Sequence, residues 1–239
     1  MTMQTPTTSP QTYARFAGIL YLLLIIAGGL DEALIRNAIV IPGNALATAN
    51  NIMTHESLWR FGIVADLLMH VSDVFVMLAL YVLFKPINRK LALLVLLFNL
   101  VQTAVLVANK LTLLLPLFLL EDASYLKAFD PAQLHALSYL AIRLHGYGFG
   151  FGLIFFGVVC LLEGYLIMKS RFMPWFLGPM MQIAGLCYLA NSFILLIAPQ
   201  FASLFIMLPC LVAELTFALW LLIRGVDVTE WQRQARLLT

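Results

Sequence analysis

Uncharged apolar runs of about 20 residues recur along the whole sequence, and that is the length an α-helix needs to cross the hydrocarbon core of a bilayer. Lipid offers no hydrogen bonds, so each run must satisfy its own backbone N–H and C=O groups, which a helix does. A soluble chain places its apolar residues in shorter periodic stretches and carries about 25% charged residues. Here 62% are hydrophobic and 11% charged, with a mean hydropathy of +0.95. The sequence therefore predicts an all-α, polytopic membrane helix bundle whose solvent is lipid.

Six transmembrane helices in three hairpins account for the runs: about Tyr13 to Arg36 and Trp59 to Phe84, Leu91 to Leu120 and Gly146 to Met168, and Phe172 to Ala198 and Phe201 to Ile223. Residues 1–12 form a polar N-terminal tail without the basic region of a cleaved signal peptide, so the first run reads as a retained anchor. Residues 13–226 form the transmembrane domain and 227–239 a cytoplasmic C-terminal tail. The two long connections, Asn37 to Leu58 and Glu121 to His145, carry helical signals, and Asp130-Pro131 reads as a cap followed by proline at the first helical position. Short interfacial helices are expected there. Alternating Gly146, Gly148, Gly150 and Gly152 then suggest a bend or a close helix contact.

Basic residues near the segment ends set the orientation. With the N-terminus inside, Arg15, Lys85, Arg89, Lys90, Lys169, Arg171, Arg224, Arg233 and Arg236 collect on one side, nine of the 14 Lys and Arg. N-in and C-in follows. Tyr81 and Lys85, Tyr165 and Lys169, and Trp220 and Arg224 share one spacing, as internal repeats or a common preference of helix ends would produce. A formal net charge of +2, with cations scattered around helix ends, gives no nucleic-acid surface. Cys160, Cys187 and Cys210 lie in apolar segments without ligand spacing and read as core residues.

Counting from the inner helix ends at about 1.5 Å per residue sorts the intramembrane polar residues by depth. At roughly 24–30 Å lie Asp31, Glu32, Asp66, Asn109, Lys110, Asn191 and Ser192; at roughly 14–18 Å lie Asp73, Asn99, Gln102 and Glu214; His70 falls between, at roughly 22 Å. Asp66, His70 and Asp73 are spaced i, i+4, i+7 and share one helix face, which cannot point at lipid. Two readings fit: a proton relay or substrate cavity opening outward, or a satisfied polar network that fixes register, with Lys110 pairing an outer carboxylate and Asn99 or Gln102 bonding Asp73. Glu32 and Arg36, at i and i+4, read as a structural pair at the water boundary.

His70 and His145 differ in depth by roughly 14 Å, too far to ligate one ion, and no metal or other cofactor is implied. Ser72, His70 and Asp73 would make a poor triad, because residues two apart on a helix face opposite ways. Three functions are carried forward: a small transporter or ligand-binding membrane protein with an outward-facing polar cavity, taking a small molecule or proton; a structural or partner-interaction protein; and an intramembrane hydrolase. The partner common to all is the lipid bilayer, and the oligomeric state stays open.

Distributed stretches add a family likeness: Ala17-Gly18-Ile-Leu-Tyr21, Ile41-Pro42-Gly43 with Ala47-Thr48-Ala49-Asn50, Arg60-x-Gly62 with Asp66-Leu-Leu68, Tyr81, Pro86-x-Asn88-Arg89, Phe155-Phe156-Gly157, Gly164-Tyr165-Leu166, Pro174-x-x-Leu177-Gly178, Gly185-x-x-Tyr188 and Glu214 with Trp220. Over about Tyr13 to Val226 the chain resembles the bacterial membrane-protein family known as domain of unknown function 4386. The resemblance implies a bacterial cytoplasmic (inner) membrane location and no established reaction, ligand or metal. Asp66 and Glu214 lie in its motif stretches.

Overall fold

The computed structural model describes residues 9–237, so residues 1–8 of the predicted polar tail lie outside it. Among the described residues there are helices and no strands. Six helices are long and apolar enough to cross a membrane: α1 (Pro10–Ile39), α3 (Glu56–Phe84), α4 (Arg89–Leu119), α5 (Pro131–Ser170), α6 (Leu177–Ile197) and α7 (Phe205–Ile223). Two shorter ones accompany them, α2 (Ala45–Thr54) and α8 (Val228–Arg236). Five of these helices start where a side chain satisfies a free N–H group. Ser9, Asn44, Asn88 and Asp227 each accept from a backbone N–H of the following turn, and Asp130 and Gln133 form a capping box around Pro131.

The spanning helices are apolar outside and polar inside. Along α3 from Phe61 onward the exposed residues are Phe61, Val64, Leu68, Val71, Phe75 and Leu78, a stripe at spacings of three and four, whereas Trp59, Gly62, Asp66 and His70 are buried. That pattern inverts a soluble amphipathic helix and suits lipid as the outer medium. The exposed stripe settles which way the Asp66 face turns.

Contacts run α1 to α3, α3 to α4, α4 to α5, α5 to α6, α6 to α7 and α7 back to α1, so the six helices form a closed ring. Small residues permit the tightest approaches. On α5 and α6, pairs of glycines seven residues apart face each other in opposite order: a Cβ on Gly164 would lie 2.5 Å from the Gly178 carbonyl oxygen, and one on Gly157 2.9 Å from that of Gly185. The α1–α7 seam closes at Gly18, where a Cβ would lie 2.5 Å from the Leu222 nitrogen. At that end of the ring Gln11 donates to Arg224 O (3.1 Å) and accepts from Val226 N (2.9 Å), while Trp231 of α8 donates to Leu83 O (2.9 Å).

Three expectations change. Residues Pro131–Ser170 are one helix of 40 residues, not an interfacial helix followed by a glycine bend. Two of the alternating glycines serve close packing instead: Gly148 admits Asn109 and Gly152 admits Leu106, so no break is needed. The extra turns of α5 beyond the span pack on α2, and Tyr139 receives a hydrogen bond from Gly43 N (2.6 Å). The fifth and sixth spans also start later than expected, at Leu177 and Phe205, because Phe172 and Met173 are buried in the preceding turn and Pro199–Phe201 form a 3₁₀ turn. The α1 helix, finally, changes period over Asp31–Arg36, which is a π-helix.

Candidate functional site

That change of period decides the outer polar layer. In a π-helix residues five apart come together, so Arg36 Nε meets Asp31 Oδ2 at 2.9 Å, while Glu32 is exposed. The expected Glu32–Arg36 pair is therefore replaced by Asp31–Arg36, and Glu32 stands apart from the other candidate residues. Arg36 Nη2 also donates to Asp66 Oδ2 at 2.7 Å, and Lys110 Nζ donates to the same oxygen at 2.6 Å. Lys110 lies where α4 is interrupted, between Asn109 and Leu111. Two helices thus depart from α geometry at the depth where their charges meet. The absent Cβ of Gly62, which would lie 2.6 Å from Asp31 Oδ1, leaves the room for it, and Arg36 lies 5.0 Å from the Trp59 ring centroid. Two carboxylates and two cations bring the formal charge of this cluster to zero. Asn109 turns the other way and donates to His145 O (2.9 Å).

The middle layer is of another kind. Glu214 is buried and accepts from two tyrosine hydroxyls, Tyr21 of α1 at 3.0 Å on Oε2 and Tyr188 of α6 on Oε1. Asp73 accepts on Oδ2 from Thr103 (3.0 Å) and Asn99 (3.2 Å), and Asn99 donates as well to Gln102 Oε1 (2.9 Å). His70 Nδ1 lies 2.6 Å from Asp66 O. A carbonyl only accepts, so Nδ1 carries a proton; Nε2 has no hydrogen-bond partner among the described residues. Every Lys and Arg of the spanning helices lies in the outer layer or toward a helix end. The middle layer therefore carries acids without Lys or Arg, and the imidazole of His70 is the basic group beside them.

Inside the ring is a cavity of ≈ 360 Å³ to which all six spanning helices contribute, within the usual range for small-molecule sites. Asp73, Glu214, His70, Gln102, Tyr21 and Tyr188 form its polar wall. Leu, Phe, Met and Ile side chains form the rest, and Gly28, Gly29 and Met207 mark its far end, away from the basic turns. Of the eight residues singled out from sequence, Asp73, Glu214, His70 and Gln102 line the cavity. Asp66 and Lys110 are engaged in the outer ion cluster, Asn109 on His145, and Glu32 outside. Ser72 donates to Leu68 O (2.9 Å), with no histidine beside it.

Two kinds of residue went unseen in the sequence. Tyr21 and Tyr188 stand in the family-like stretches with no polar role attached, and only the fold brings their hydroxyls to Glu214. Glu163 of α5, fully buried, had a signal available: it is an isolated acid inside the apolar run from Gly157 to Met168.

Residues 16–225 match a family model described as a domain of unknown function (DUF4386). An "Uncharacterized protein" of Archaeoglobus fulgidus is 29% identical over 170 residues, which cover 71% of this chain and 87% of that one. No solved structure matches the chain.

Proposed function

We propose, for a chain that belongs to the DUF4386 family, that it is a small transporter or ligand-binding protein of the bacterial cytoplasmic membrane that takes an organic cation with an apolar body. The observation that carries this reading is the cavity in the middle of the ring: its walls are largely apolar, its acidic groups are the carboxyls of Asp73 and Glu214, and no Lys or Arg lines it, the imidazole of His70 being the basic group on its wall. A carboxylate has about four acceptor positions, so Glu214 keeps some free beside its two tyrosines. An apolar cation matches both components, since it loses little hydration on entry and places its charge between the two acids.

In this reading the helices run as three hairpins, N-in and C-in, with residues 13–226 as the transmembrane domain and 227–239 as a cytoplasmic tail, because the Lys85 to Lys90 turn, Lys169, Arg171 and Arg224 share one side. The cavity then opens outward, toward Gly28, Gly29 and Met207. Asp66 and Lys110 hold the outer ends of α3 and α4 together and do not touch the ligand.

Tetraphenylphosphonium is a suitable probe in a thermal-shift titration of the purified protein. It should raise the melting temperature of the wild type, and Glu214→Gln and Asp73→Asn should each weaken binding by about tenfold or more while preserving folded yield. No shift with this or any other apolar cation, together with a stoichiometric co-purifying partner, would move the assignment to an interaction protein.

A further inference from the structure

Glu163 is not part of the cavity wall, yet it is fully buried and neither carboxyl oxygen has a hydrogen-bond partner among the described residues. The titratable groups acting on it are Glu214 of α7 and Asp73 of α3, Tyr21 of α1 and, one turn away on its own helix, Cys160. None of these is a base. The other helices packed on α5 bring neutral groups to this region: Asn99, Gln102 and Thr103 from α4, farther from the basic end, and from α6 Gln182, which packs on Gly164, and Tyr188, whose hydroxyl is engaged by Glu214. An ionised carboxyl without water, donor or counter-cation is among the costliest groups to bury. The species that fits this position is the protonated acid. Counting by helical rise, Glu163 lies about 10 Å from the basic end and Glu214 about 14 Å.

We propose that Glu163 is a proton-binding site coupled to the cavity, holding a proton while the cavity is empty and releasing one as a cation enters. This rests on the cation-binding reading. Asp73, Glu163 and Glu214 form a group of three acids that a low-dielectric interior does not tolerate fully ionised, with no Lys or Arg beside them and one imidazole, His70, on the cavity wall. When the cation arrives its charge replaces that of a proton: the O–H bond of a carboxyl breaks, the electron pair stays on the oxygen, and the proton leaves to water. The net charge of the layer is unchanged. The proton belongs to the coupled group, not to one residue, but Glu163 is the member farthest from the cavity mouth and nearest the basic end. It places the proton's route toward the face opposite the ligand's entrance, the arrangement of an exchanger that trades a cation for a proton.

Two measurements test this. The first needs no ligand: infrared spectroscopy of the lipid-reconstituted protein at neutral pH should show the C=O stretch of a sealed, protonated carboxyl that exchanges slowly with deuterium, and Glu163→Gln should lack it. A wild-type spectrum without that band, or an unchanged band in Glu163→Gln, overturns the proposal. The second follows tetraphenylphosphonium binding in weak buffer with a pH indicator. The wild type should release about one proton per cation bound, and affinity should rise by up to about tenfold per pH unit. Glu163→Gln should bind with little proton release and little pH dependence, and Glu163→Asp should restore both. Undiminished release in Glu163→Gln also overturns it. If tetraphenylphosphonium does not bind, the cavity reading fails, and the infrared band still decides whether Glu163 carries a proton.

Discussion

Replacing Asp66 with asparagine removes the charge that holds two buried cations. Its Oδ2 lies 2.6 Å from Lys110 Nζ and 2.7 Å from Arg36 Nη2, and the three side chains are only 6 to 10% exposed. Taking one partner from a buried ion pair costs about 3–5 kcal/mol, because the remaining charge is left uncompensated. Arg36 would retain Asp31 and the face of Trp59, whereas Lys110 has no other side-chain acceptor among the described residues. Most of the loss should therefore come from Lys110. Asp66→Asn should cost about 3–5 kcal/mol, and combining it with Lys110→Met, which removes the stranded charge and keeps an apolar stem, should recover at least about half. Reversible unfolding in mixed micelles, driven by rising dodecyl sulfate and followed by far-ultraviolet circular dichroism, gives the four corners of the cycle. An Asp66→Asn variant within about 1 kcal/mol of wild type, or a double variant no more stable than the sum of the singles, would refute the assignment of this cluster as the lock between α1, α3 and α4.

Other consequences are simpler to check. Gly164→Ala should destabilise by about 1–3 kcal/mol, since its Cβ meets the Gly178 backbone, while Gly146→Ala, with nothing within 4 Å, should be neutral or stabilise by up to about 1 kcal/mol in the same assay. Trp231→Phe loses the hydrogen bond to Leu83 O and about 1 kcal/mol of docking, which limited proteolysis of α8 would register as faster cleavage. The carboxyl of Glu230 is held below its ordinary range, first by the hydrogen bond from Arg233. Its contribution to α8 is therefore fully present above the ordinary glutamate range and is lost as pH falls through the lowered value. Amide protection in α8, the observed exchange rate relative to the intrinsic rate at each pH, should stay constant at neutral pH and fall only below the ordinary glutamate range, and a loss of protection nearer neutrality would contradict the Arg233 contact.

The bundle was legible because membrane helices announce themselves by length and composition, and the α3 polar face because i, i+4, i+7 spacing survives any tertiary context. The same arithmetic failed at Asp31 and Arg36. A π-helix shifts the neighbour from i+4 to i+5, and nothing in the composition of Asp31–Arg36 marks the change, which the tertiary pairing with Asp66 and Gly62 imposes. The glycines stayed ambiguous for a related reason: Gly148 and Gly152 are compatible with a bend or a close contact, and only the positions of Asn109 and Leu106 decide for the contact. The tyrosines at Glu214 come from 193 and 26 residues away, a juxtaposition no local pattern encodes.

Closure of the ring also orders the protein's biogenesis. If the helices enter the membrane in sequence, α1 through α6 can pack pairwise as they arrive, but the α1–α7 seam at Gly18 and Leu222 waits for the final span. Glu214 travels on that span, while its two hydroxyl partners are already in place on the first and the penultimate. The acid layer of the cavity is thus completed in the same step that joins the two edges of an open fan of helices, and a nascent chain halted before α7 holds Tyr21 and Tyr188 without their shared acceptor. On the cation-binding reading, ligand competence and a finished fold become one event, and a probe of the cavity would report the moment of assembly.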